Sequence, residues 1–177
     1  MRLARKIIAV LLAGMVSFAC FPSIASAKTD DSSPMLQVSA SKVSKSYVGK
    51  YVYKYYTTKS MSSYAGRIGP GQLYATRTLQ IKSVKGNKVK FRVLFNSANT
   101  AAGSNSTGWI TGRVKNGKLT FNYRSAKYWD EGTGYLKFSG GKVTMRIKTT
   151  YCLSGMGRQS LDMTRAMVMR KGVHRVN

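Results

Sequence analysis

Apolar and polar residues alternate with a period of two over most of the chain beyond residue 46, the pattern of strands with one buried face. Val89, Phe91, Val93 and Phe95 fall on one side of a segment whose other side carries Lys88, Lys90 and Arg92. Leu119, Phe121 and Tyr123 stand opposite Thr120, Asn122 and Arg124, and Val143, Met145 and Ile147 opposite Thr144, Arg146 and Lys148. The alternation predicts eight strands, at about 47–57, 73–84, 88–97, 107–115, 118–126, 133–139, 142–151 and 160–170. Three stretches, 81–93, 111–123 and 135–147, are near-copies of one hairpin, each with a short Gly-containing turn ending in Lys. Such turns between period-two runs are a strong hairpin signal. Gly112 and Gly134 sit at inward positions beside Ile110, Val114, Leu136 and Phe138. An inward glycine fits a sheet that bends sharply or is closely approached. The expected fold is therefore all-β, an eight-stranded antiparallel up-and-down β-barrel, the smallest common size that can hold one small ligand.

Loop lengths orient this barrel. The tight turns at Lys85-Gly86-Asn87, Asn116-Gly117 and Gly140-Gly141 all close one end. The longer connections, about 58–72, 98–106, 127–132 and 152–159, fall at the other, as an open mouth requires. The stretch from Gly66 to Gly71 suits a lid across it.

A resemblance enters on these residues. Gly49-Lys50-Tyr51 is similar to the Gly-x-Trp start of lipocalins, with Tyr for Trp. The runs LQIKSVKGNKVKF from Leu79 and WDEGTGYLKF from Trp129 resemble lipocalin-like, calycin-like domains of secreted bacterial proteins of the Firmicutes type. The resemblance covers 47–170 and implies a β-barrel binding domain. It further implies that Arg165 or Arg170, the latter nearer the closed end, packs over the first-strand aromatic.

Composition adds the chain's expected location. Arg2, Arg5 and Lys6, an apolar run from Ile7 to Phe18 and the Ala25-Ser26-Ala27 site have the parts of a secretory signal peptide over 1–27. The apolar run is too short for the roughly 20 residues that span a bilayer. The protein is expected to be secreted or periplasmic. The alternative is a membrane-anchored lipoprotein acylated at Cys20, although Leu is missing three positions upstream. Residues 28–46 read as a flexible Ser/Lys-rich leader, 47–170 as the barrel domain and 171–177 as a C-terminal tail. After cleavage one cysteine remains, Cys152, so no internal disulfide forms. With one His, no metal site can be assembled and no cofactor is implied. Removing three basic residues with the signal leaves 27 Lys plus Arg against five acids, a net charge of about +22. Anionic envelope polymers or lipid surfaces are the natural partners, with nucleic acid bound only non-specifically.

Candidate chemistry is sparse. Arg77 shares the inward register of Leu79 and Ile81 near the mouth. It either meets an anionic ligand group or pairs with Asp162, unless a bulge turns it away. Tyr53, Tyr55 and Tyr123 either line a ligand cavity or fill the barrel; Trp129, in a rim loop, is a further ligand-binding candidate, and Asp130 and Glu131 beside it read as a solvated turn. Lys82, Lys85, Lys88, Lys115, Lys118 and Lys142 lie at or beside the tight turns and form a basic crown suited to polyanions. Nucleophilic catalysis finds no support: the lone His174 is in the tail and no Gly-x-Ser-x-Gly occurs. The expected function is a secreted, non-catalytic binding protein taking a small anionic or amphipathic ligand at the mouth. The alternative is a surface-acting adhesive or inhibitory protein with a solid core.

Overall fold

The described residues fold as β-structure apart from one 3₁₀ turn, Lys45–Tyr47. The computed structural model describes residues 42–63, 66–98, 104–125, 130–152 and 160–177. The strands are β1 (Gly49–Tyr56), β2 (Met61–Ser63), β3 (Gly66–Ile68), β4 (Leu73–Lys85), β5 (Lys88–Ser97) and β6 (Ser104–Ser106). They continue as β7 (Ile110–Arg113), β8 (Lys118–Ser125), β9 (Asp130–Ser139), β10 (Lys142–Tyr151), β11 (Met167–Met169) and β12 (Gly172–Val176). The signal segment with Cys20, the leader up to residue 41 and Trp129 lie outside the described residues; the end of the leader, 42–46, does not, and it is packed rather than a free segment.

The strands form two main sheets and do not close into an eight-stranded barrel. One sheet has the order β12-β1-β4-β5-β6, with β7 also on β5; the other is β11-β10-β9-β8, and β2 and β3 form a separate ribbon within the expected lid loop. Two seams interrupt the expected cylinder. At the first, the predicted strand 107–115 is broken. Thr107 Oγ1 accepts from Val93 N at 3.0 Å, a side chain standing where a strand carbonyl would pair. Gly108 then turns with φ 67°, and between β7 and β8 the ladder is reduced to the isolated Lys115–Lys118 bridge. At the second seam, β12 takes the free edge of β1, pairing in parallel from Tyr51↔Gly172 to Tyr55↔Val176. A strand has two hydrogen-bonding edges, and β4 holds the other. The predicted 160–170 strand therefore cannot close on β1, and it shrinks to β11 on β10. The residues read as a tail supply the strand that prevents closure.

Strand faces agree with the alternation. Val89, Phe91, Val93, Leu119, Phe121, Tyr123, Val143, Met145 and Ile147 are buried. Phe91 and Phe121 meet edge-on at 4.9 Å, an arrangement contributing about 0.5–1.5 kcal/mol beyond area burial. Both inward glycines make room for a neighbour. A Cβ on Gly112 would lie 2.9 Å from the Leu119 side chain, and one on Gly134 2.5 Å from Phe121 Cζ. With Leu79, Ile81, Leu136, Leu161 and Met169 also wholly buried, the interior between the sheets is filled.

The tight-turn end is closed. Asn116 and Gly117 have φ 49° and 72°, and Gly140 and Gly141 φ 54° and 73°, the left-handed pair that two-residue hairpins need. Successive turns are linked by Val114 N to Asn87 O (2.8 Å) and Phe138 N to Gly117 O (2.9 Å). Packing begins upstream of Tyr47. Val43 is buried and donates to Gly86 O at 3.1 Å, and Ser44 caps the 3₁₀ turn. Over Gly49 lies Lys171, which donates to Ser46 O at 2.6 Å, while Arg165 and Arg170 are exposed.

Tyr51, wholly buried beneath this plug, donates to Tyr47 O at 2.8 Å. Burial, with the neighbouring Tyr47 hydroxyl, pushes its pKa from 10.0 up to about 12. A folded pKa above the unfolded one means that the unfolded state loses its proton first. This contribution is fully present below pH 10 and disappears as pH rises to about 12. Denaturant melts across that window should show stability falling, and the fall should be shallower in Tyr51→Phe. An equal slope in the variant would remove Tyr51 as a cause.

Candidate functional site

Arg77 occupies the inward register of β4 with Ala75, Leu79 and Ile81, and is only 7% exposed. Its ladder neighbours are Tyr53 on β1 and Phe95 on β5. The guanidinium lies 4.8 Å from the Phe95 ring and donates from NH1 to Leu161 O (2.9 Å) and from NH2 to Asp162 O (3.1 Å). Both acceptors are backbone carbonyls of the segment that did not become strand. Burial lowers the Arg77 pKa, with Tyr55 and Asp162 partly opposing. The Asp162 carboxylate instead accepts from Thr149 N at 2.8 Å. Among the described residues the one ion pair within 4.0 Å is Arg124–Glu131, at 3.6 Å. Arg77 therefore carries a buried positive charge with no carboxylate in contact.

That charge faces an open groove of about 320 Å³ at the seam between β1–β4 and β11. Tyr55, Tyr74, Phe95, Met163 and Met167 supply apolar wall, with Asp162 and Arg165 also lining it. Tyr55 donates to Met167 Sδ at 3.4 Å across the seam, and burial raises its pKa. The groove lies at the long-loop end, as the loop lengths imply.

The other aromatic candidates stand elsewhere. The Tyr53 hydroxyl donates to Val168 O (3.0 Å) and accepts from Arg170 N (3.1 Å), bridging β1 to the β11 strand that cannot pair with it. The Tyr123 hydroxyl donates to Asp130 Oδ1 and shares a hydrogen bond with Thr149 Oγ1, both at 2.8 Å. Burial is the main reason its pKa is raised.

Asp130 is a correction to the sequence reading. It opens β9 wholly buried rather than in a solvated turn. Its carboxylate accepts from Tyr123 OH, from Asn105 Nδ2 (3.0 Å) and from Leu161 N (2.7 Å). Ser125 Oγ donates to Asn105 Oδ1 at 2.6 Å, and Thr149 and Ser160 share a 2.9 Å bond. The Leu161 peptide is held from both sides, its N–H by Asp130 and its carbonyl by Arg77. The inward series Gly134, Leu136, Phe138 runs back through Gly132 to Asp130 and was the available signal.

No family model, curated protein or solved structure matches the chain. The site's chemistry therefore rests on its geometry. Among the described residues no three His, Cys, Asp or Glu side chains converge as a metal site, and no helix is long and apolar enough to cross a membrane.

All six crown lysines are exposed. Lys85 stands opposite Lys88, and Lys88 opposite Arg113 on its other side. Lys118 bridges Lys115 and faces Lys137, while Lys142 pairs with Ser139. Lys82 differs: its Nζ lies 5.5 Å from the Trp109 ring, outside the turns.

Proposed function

We propose that this protein is a non-catalytic binding module of the cell envelope that takes a small amphipathic anion in the seam groove. What supports the reading is Arg77, a buried guanidinium without a carboxylate in contact, facing an apolar groove. The anionic head would meet the remaining guanidinium donors, and the apolar body would lie along Phe95, Met163 and Met167. The lipocalin-like resemblance and the N-terminal export signal agree with this role, with the groove at an open seam replacing a closed barrel's lumen.

Decanoate and its methyl ester test it by calorimetry. Hydrogen bonds to a charged group contribute about 1.5–3 kcal/mol, so the ester should bind roughly 10- to 100-fold more weakly than the acid. Arg77→Gln should abolish that preference, and Arg77→Lys, which keeps the charge, should retain part of it. Decanoate binding unchanged in Arg77→Gln, or absent from the native protein, would overturn the proposal.

A second reading, adhesion of the basic exterior to anionic polymers, is favoured by the ladder register. Like charges directly opposite each other destabilise a sheet, yet Lys85, Lys88 and Arg113 form one row and Lys118 and Lys137 another. A polyanion would offset that cost.

A further inference from the structure

The outer face of the six-stranded sheet carries cations, and its strands supply no acidic residue; the four-stranded sheet carries the exposed Arg124–Glu131 pair. Across this face, Lys50 of β1 stands opposite Gln80 of β4, and Gln80 opposite Arg92 of β5. Lys90 is opposite Thr111 of β7. One cation here is held in place. Arg92 Nε donates to Gln80 Oε1 at 3.0 Å, and its guanidinium carbon sits 4.6 Å from the ring centre of Trp109, which is 40% exposed. Lys82 Nζ approaches the same ring at 5.5 Å. With Nε occupied and the plane over an aromatic face, the NH1–NH2 edge of Arg92 is pre-organised for a bidentate oxyanion.

We infer that this face binds a linear phosphodiester polymer without stackable bases, a polyol phosphate, with Arg92 as the anchoring phosphate site and Lys82 and Lys90 flanking it. The inference rests on the second reading above, that the exterior takes a polyanion, and moves the principal site from the turn crown to the sheet. Spacing favours such a chain. Neighbouring strands are about 4.8 Å apart and same-face residues along a strand about 6.7 Å, a lattice suited to one charge per short repeat. The state of Trp109 disfavours two other partners. A ring attended by two cations is not an open platform for bases, which single-stranded nucleic acid sites provide, nor a free apolar anchor for a bilayer.

The test is calorimetric titration of the protein with poly(glycerol phosphate) of defined length, using two charge-matched variants. Lys82→Gln/Lys90→Gln/Arg92→Gln alters the face, and Lys115→Gln/Lys118→Gln/Lys142→Gln alters the turn end. The face variant should lose at least about tenfold in affinity, and its salt slope should shrink by about 2 to 3, roughly 0.7–0.9 for each lost phosphate contact. The turn variant should stay within about threefold of the native protein. Trp109→Leu, which keeps every charge, should weaken binding about three- to tenfold by freeing Arg92. Equal losses in both triple variants with a silent Trp109→Leu would show that only total charge matters and overturn the assignment. Loss confined to the turn variant would overturn it while sparing polyanion adhesion, and no binding by native protein would end both. Tighter binding of oligo(dT) or of phosphatidylglycerol vesicles would overturn the choice of partner.

Discussion

Asp130→Ala is expected to destabilise the fold by about 3–5 kcal/mol, because it removes the acceptor of three buried hydrogen bonds. Asn105 Nδ2 and Leu161 N both point at Asp130 Oδ2, and the Tyr123 hydroxyl at Oδ1. Each lost buried hydrogen bond costs about 1–3 kcal/mol, and Tyr123 retains Thr149 as a partner. Removing a buried charge recovers some desolvation energy and offsets part of that cost. Asp130→Asn keeps the shape but sets an amide N–H2 where a second acceptor is needed, at about 1–3 kcal/mol. Tyr123→Phe should cost least, about 1 kcal/mol. The midpoint of a urea melt measures all three, and that order is the diagnostic. If Asp130→Ala lost no more than Tyr123→Phe, the carboxylate would not be the hub of this network. Function should follow stability here. The Leu161 peptide links Asp130 to Arg77, and Asp162 and Met163 beyond it line the groove. Asp130→Ala should therefore weaken decanoate binding under conditions where the protein is still folded, with Arg77 itself unchanged.

The local features were readable because they are local. The face of Phe91 or Met145 follows from alternation within a single strand, and Asn116-Gly117 announces its own turn. Closure is a contest between distant segments. Gly172–Val176 is five residues long and pairs in parallel with β1, so neither a hairpin turn nor a long alternating run announces it. Its success over 160–170 has a visible cause in retrospect. Leu161 and Asp162 give their carbonyls to Arg77, and Met163 N goes to Ile147 O, so the start of that segment makes its backbone bonds away from β1. Arg77 was recognisable as an inward charge from its register. Its partners were not, because the sequence suggests a carboxylate at Asp162 where the structure uses the backbone carbonyl of the same residue. The pairing of Trp109 with Arg92 is not legible in the sequence for another reason: the two meet across strands and share no spacing along the chain.

Gly132→Ala is expected to cost about 3 kcal/mol or more, although it adds a single methyl group. A Cβ at Gly132 would lie 2.1 Å from Lys148 O and 2.8 Å from Thr149 Cα. Both are backbone atoms of β10, so no rotamer change can make room and the strand itself must move. It is poorly placed to do so. Gly132 pairs with Thr149 just before the register shift between Thr149 and Tyr151, and Tyr123 faces it from β8. Displacing β10 there would also pull Thr149 from Tyr123 and Ser160, and Asp130 lies only two residues upstream. Gly69→Ala is the matched control: its Cβ would meet nothing closer than Gln72 Oε1 at 3.8 Å, and its φ is outside the left-handed region. That substitution should stay within about 0.5 kcal/mol of native. Urea melts of the two variants separate steric exclusion from a general intolerance of alanine for glycine. A Gly132→Ala protein as stable as Gly69→Ala would mean that β9 and β10 do not approach this closely. In that case the buried carboxylate at the head of β9 would lose the packing that now fixes it over the Leu161 peptide.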